Sequence, residues 1–146
     1  IGLQGQGATI LATRLRLGRI NRAMRSLGMA DRALSNVTHQ ENPDESAKIW
    51  LRQSQLVLGA VENRILDLAE RLDTPGADLP SNSDISTVAE EAHSLGLSIA
   101  QEANHYLQGN RGEDAGLIVY FSEWIKGMRA FDASDVSRVN SFASHV

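Results

Sequence analysis

The sequence predicts an all-α fold, a four-helix, coiled-coil-like bundle with a short C-terminal helix, and three observations lead there. Ile10, Leu17 and Met24 repeat at one seven-residue interval and Ile20, Leu27 and Leu34 at a second, with Thr13 as the polar exception. A period of about 3.5 residues in one continuous run marks a helix that expects another helix along its length. Aromatic residues are 5% of the chain and hydrophobic residues 42%, so the core must come mainly from Leu, Ile, Val and Ala, which suits helix on helix. The one apolar run that reads as a buried strand, residues 117–121, has no second strand candidate to pair with.

The 146 residues are most simply one domain, 1–146. Gly2, Gly5 and Gly7 alternate with Gln and read as a flexible lead-in over 1–7, because glycine weakens a helix interior. Helix 1 is expected over about 8–37, with Gly18 and Gly28 as places for a bend or a close helix contact. Asn42-Pro43-Asp44-Glu45 carries the features of a helix start: Asn42 can cap, Pro43 suits the first helical position, and the two acids suit the positive end of the dipole. Helix 2 follows to about residue 72, its seam formed by Leu51, Leu58, Ile65 and Leu72, joined by Val61 and Leu68.

Residues 73–83, with Thr74-Pro75-Gly76 and Leu79-Pro80-Ser81-Asn82, read as a linker loop. Helix 3 is expected over about 84–108 on the series Ile85, Ala92, Ile99 and Tyr106, and Ala92, Gly96 and Ala100 form a strip of small residues that admits a neighbouring backbone. Gly109-Asn110-Arg111-Gly112 is a turn. Helix 4 is expected over about 113–131 on Leu117, Phe121, Trp124, Ile125 and Met128. Val136, Val139 and Ala143 suggest a short final helix within 132–146.

Cysteine is absent, which excludes disulfides, thiolate metal sites and a thiol nucleophile. No apolar run approaches the roughly 18 residues of a membrane span. Ile1 in place of an initiator Met reads as a processed or partial chain, so an export signal could already be gone. Net charge is −4, unevenly spread: residues 1–37 hold six Arg and one acid, net +5, whereas 38–146 hold eight basic and seventeen acidic groups, net −9. The basic helix is expected to lie against acidic neighbours or solvent in its own bundle, or against the acidic face of another copy.

Two E-x-x-H pairs on helix 3, Glu90 with His93 and Glu102 with His105, have the spacing that di-iron bundles use. At about 100° per residue the two pairs point to different faces and only Glu102 falls on the apolar seam, so solvated Glu and His are expected, with neither metal nor cofactor. The arginines of helix 1 are spread around it with no aromatic platform, which argues against nucleic acid. There is no G-x-S-x-G, no H-E-x-x-H and no phosphate-cradling glycine loop, so no catalytic residues are assigned and the chain reads as a non-enzyme.

Three stretches in chain order carry a resemblance. They are Ala12-Thr-Arg-Leu-Arg16 with Ile20-Asn-Arg-Ala-Met-Arg25 and Ala30-Asp-Arg-Ala-Leu-Ser-Asn-Val-Thr38; Leu58-Gly-Ala-Val-Glu-Asn-Arg-Ile65; and Asp84-Ile-Ser-Thr-Val-Ala-Glu-Glu-Ala92 with Ser98-Ile-Ala-Gln-Glu-Ala-Asn104. About half of the chain thus resembles the helical core of bacterial flagellins, with shorter spacing between the stretches and nothing matching from Arg111 onward. The resemblance implies self-assembly through long helices into a filament outside the cell or at its surface, without catalytic residues.

The expectation is therefore a non-enzymatic structural subunit whose partners are copies of itself, with helices 1 and 2 as the main coiled-coil pair. The assembly residues named by the pattern are Ile10, Leu17, Met24, Leu27, Leu58, Ile65, Phe121 and Trp124. The alternative is a helical-bundle binding module, an adaptor, chaperone or sensor, cytoplasmic in that case, whose groove lies beside Trp124.

Overall fold

The structure is a computed structural model that describes residues 6–40, 43–74, 76, 78–107 and 113–144, with side chains over 14–40, 43–74, 76, 78–107 and 116–134. Four helices account for nearly all of it: α1 (Gln6–Thr38), α2 (Glu45–Asp73), α3 (Asn82–Tyr106) and α4 (Glu113–Ser144), with no strand among the described residues. The fold is an all-α bundle. α4 runs unbroken through the region expected to hold a separate short helix, so that element is the continuation of α4. None of the described helices is long and apolar enough to cross a membrane.

Local chemistry explains where the helices begin. Asp44, not Asn42, caps α2: its carboxylate accepts from the Ala47 backbone N–H at 2.7 Å, leaving Pro43 outside the first turn, while Asn42 lies outside the described residues. α3 starts two residues earlier than expected, on a capping box in which Ser81 Oγ accepts from Asp84 N at 3.0 Å and Asp84 Oδ2 accepts from Ser81 N at 3.3 Å. The loop between α2 and α3 is pinned at both ends: Thr74 N donates to Glu70 O and Pro80 is buried.

Two cross-helix pairs fix the topology. Arg16 Nε donates to Asn82 Oδ1 at 2.7 Å and Ser26 Oγ lies 2.6 Å from His93 Nδ1, so α1 and α3 run parallel and in register. α2 runs the other way along α3, its Trp50 beside Glu102 and Tyr106 and its Arg64 beside Glu91. α4 also runs antiparallel, with Asp132 beside His93 and Ile125 beside Gly96. α2 and α4 each pack on both α1 and α3 over the same levels of α3, yet among the described residues no Cα of one comes within 8 Å of a Cα of the other. The cross-section is therefore a rhombus: α1 and α3 meet across its short diagonal, and α2 and α4 occupy the two opposite corners.

Side-chain volume sets that diagonal. α1 buries Ala23, Ser26, Ala30 and Ala33, and α3 buries Ala89, Ala92, Gly96, Ala100 and Ala103. Two rows of small residues let the axes approach, and the expected strip on helix 3 lies in this contact: a Cβ on Gly96 would stand 3.0 Å from Ser26 O and 3.3 Å from Ile125 Cδ1. Gly28, by contrast, meets nothing within 4 Å, and no break interrupts α1 there. The expected main pair of helices 1 and 2 is thus corrected to α1 with α3, because the alanines of α1, and not its heptad leucines, decide which neighbour comes closest.

α2 covers one side of this pair with Leu51, Ser54, Leu58, Val61, Ile65 and Leu68 at alternating three- and four-residue spacing. α4 covers the other with Ile118, Ser122, Ile125, Met128 and Asp132. The core is sealed by the chain's own four helices.

Candidate assembly surface

The eight assembly residues named from sequence divide into two sets. Leu27, Leu58 and Ile65 are buried inside the chain's own core, and Met24 is half-buried against it. On the surface of this fold they are not available to another molecule, and their seven-residue repeats are satisfied within the chain. Ile10 lies in α1 but outside the residues whose side chains are described. Leu17 is exposed, Phe121 is half-buried and Trp124 is 47% exposed.

Trp124 belongs to a surface the heptad reading did not delimit. At about 100° per residue, Tyr120, Trp124 and Phe131 lie within about 40° of one another on α4, to one side of its buried row. Tyr120 and Phe131 are 54% and 51% exposed. Tyr120 and Trp124 meet edge to face with ring centroids 6.0 Å apart, and the Arg22 guanidinium sits 4.5 Å from the centre of the Phe131 ring. With Met128 as floor and Arg25 of α1 as the far wall, these residues line an open groove of about 520 Å³ between α1 and α4. An exposed aromatic row beside a cation is the composition of a contact surface rather than of a solvated face.

Beneath the groove, three helices are joined by a polar chain. Ser26 of α1 and His93 of α3 are both fully buried. His93 Nε2 lies 2.6 Å from Asp132 Oδ2 on α4, and Asp132 Oδ1 accepts from Arg22 Nε at 2.6 Å. A carboxylate can only accept, so Nε2 carries the proton toward Asp132, and the Ser26 hydroxyl, able to donate or accept, pairs with Nδ1. Every polar atom of the ring then has a partner, and the Asp132 charge is met by Arg22.

This corrects the expectation that His93 is a solvated partner of Glu90. Glu90 is exposed and pairs instead with Arg129 of α4, while Glu102 bonds the Trp50 indole and His105 lies against Tyr106. The signal was present in the sequence: Ser26, His93 and Asp132 each interrupt a row of small or apolar residues on a different helix.

No protein-family model, no curated protein and no solved structure matches the chain.

Ser, His and Asp joined in series have the connectivity of a hydrolase triad, but a triad requires a serine oxygen that substrate can reach and N–H donors for the oxyanion. Ser26 is 0% exposed and lies mid-helix, where the neighbouring backbone N–H groups are committed to the helix. The arrangement fastens three helices together; it offers no place for an acyl group. No group of three or more His, Asp or Glu suited to a metal occurs among the described residues.

Proposed function

We propose that the chain is a non-enzymatic structural subunit that assembles with copies of itself into a filament or similar homopolymer. The observation that carries this reading is the α4 groove. The hydrophobic core is closed without it, yet Tyr120, Trp124 and Phe131 remain about half exposed in one row. Burial of such a row is worth roughly 25 cal/mol per Å² of apolar surface, which favours a covered state. The flagellin resemblance of the first three helices supports the same class of function and implies an extracellular or cell-surface polymer. Of the interface first expected, the α4 part around Trp124 is kept, while Leu27, Leu58 and Ile65 hold the subunit together.

Light scattering coupled to size exclusion, run over a range of concentrations, tests the proposal. Species growing beyond the 15.9 kDa chain, and elongated particles by electron microscopy, are expected. A monomer at every concentration would refute it.

The same groove supports a second reading, a binding module that receives a helix of a different protein. In that case the chain stays monomeric alone and forms a defined complex with one heterologous partner.

A further inference from the structure

The self-assembly reading leaves open what covers the α4 groove. A candidate lies on the opposite corner of the rhombus. The outward face of α2 points directly away from its buried row, and at about 100° per residue Ile49, Leu56, Ala60, Asn63, Asp67 and Glu70 fall in one stripe about 80° wide, with Leu66 on its flank. Ile49, Leu56 and Leu66 are 54%, 71% and 49% exposed, and Leu56 is the most exposed large hydrophobic residue described in the chain.

Three features match this stripe to the groove. Ile49 to Leu66 spans about 26 Å of helix, and Tyr120 to Phe131 about 16 Å, so the apolar row is long enough to fill the groove, with Leu56 to Leu66 covering about 15 Å of it. Both are narrow and carry large side chains at helical spacing, as helix-in-groove contacts do. Their charges are complementary. On the groove side, the one lining acid, Glu123, is paired with Lys126, whereas Arg25 is exposed and makes no salt bridge among the described residues, and at about 100° per residue Arg14 and Arg32 lie on the same side of α1. On the stripe, Glu45 and Arg52 before Leu56 cancel, whereas Asp67, which also lies 3.9 Å from Arg71, and Glu70 follow it, so the net negative charge sits at one end and gives the contact a preferred direction. The uneven charge of the sequence, +5 over residues 1–37 and −9 beyond, thereby acquires a location.

Resting on the self-assembly reading, we infer that the α4 groove of one copy receives the outer face of α2 of another, with Leu56 and Leu66 against Tyr120, Trp124 and Phe131 and with Asp67 and Glu70 toward Arg25. The two patches differ and lie on different sides of the subunit, so the contact is heterologous: each copy uses its groove on one neighbour and its stripe on the next. Such a contact extends into a chain of subunits unless its rotation closes a ring.

Complementation between two variants tests this. Trp124→Asp keeps the stripe and loses the groove; Leu56→Asp keeps the groove and loses the stripe. Both positions are exposed, and unchanged helical circular dichroism and thermal midpoint would verify that each variant folds. Each alone is expected to self-associate at least about 30-fold more weakly than the wild type, the loss expected when a carboxylate replaces a large apolar side chain at the centre of a contact. Mixed in equal amounts, they are expected to form a dimer that grows no further, since one groove and one stripe remain intact between them. Self-association of Leu56→Asp at wild-type strength would overturn the α2 assignment and indicate a groove-to-groove dimer. Two folded monomeric variants that fail to pair on mixing would overturn it as well. A wild-type chain that is monomeric throughout would instead remove the self-assembly reading beneath it.

Discussion

Asp132 of α4 lies 2.6 Å from Nε2 of the fully buried His93 of α3, and through its other oxygen it holds Arg22 of α1 at the same distance. One carboxylate thus fastens the two helices of the short diagonal to the helix at the corner. Breaking a buried pair costs about 3–5 kcal/mol and an exposed one less than about 1. Arg22 retains 19% side-chain exposure and Asp132 9%, so an intermediate value applies. Asp132→Asn is expected to lower the unfolding free energy by about 2–3 kcal/mol in urea titration; a loss below about 0.5 kcal/mol would mean that the clamp does not hold the helices.

The close approach at Gly96 gives a paired expectation. Gly96→Ala brings a methyl against the Ser26 carbonyl and Ile125, and neither a backbone atom nor a core side chain yields easily. A loss of about 1–3 kcal/mol is expected, in spite of alanine's better helix propensity. Gly28→Ala meets nothing within 4 Å and is expected to gain about 0.5–1 kcal/mol. Denaturation of the two variants side by side checks the sign of each.

Stability and association are expected to separate by residue. Leu58→Ala opens a cavity in the sealed core and should cost about 2–5 kcal/mol of stability while leaving self-association of the folded protein unchanged. Trp124→Ala should change stability by less than about 0.5 kcal/mol and weaken association. Chemical denaturation together with light scattering distinguishes the two, and the reverse pattern would return assembly to the heptad leucines.

At the start of α2, Asp44→Ala removes the acceptor for Ala47 N and is expected to cost about 1 kcal/mol. Urea titration reads it directly; no change would show that another group takes over the cap.

Much of the architecture was legible in the sequence because periodicity reports which face of a helix is covered. The seam of helix 2 was read correctly from Leu51 to Leu68, and the small strip Ala92, Gly96 and Ala100 was found as a close contact. What periodicity does not report is the identity of the covering element. Ile20, Leu27 and Leu34 read as a coiled-coil seam for α2, whereas the interleaved Ala23, Ala30 and Ala33 bring α3 nearest. The α4 face was only partly legible: the apolar run 117–121 surrounds the helix, so sequence alone could not separate buried Ile118 from exposed Val119 and Tyr120. His93 was missed because it was weighed against Glu90, its neighbour in sequence, when its partners stand 67 and 39 residues away.

Because the backbones of α2 and α4 stay apart among the described residues, the subunit behaves as a two-helix spine bearing a pair of wings. Free-energy changes made on the outer face of one wing should add closely to those made on the outer face of the other, since a cross term has to pass through α1 or α3. On its outer face each wing can therefore drift residue by residue without its counterpart having to answer, both being bound only to the spine between them.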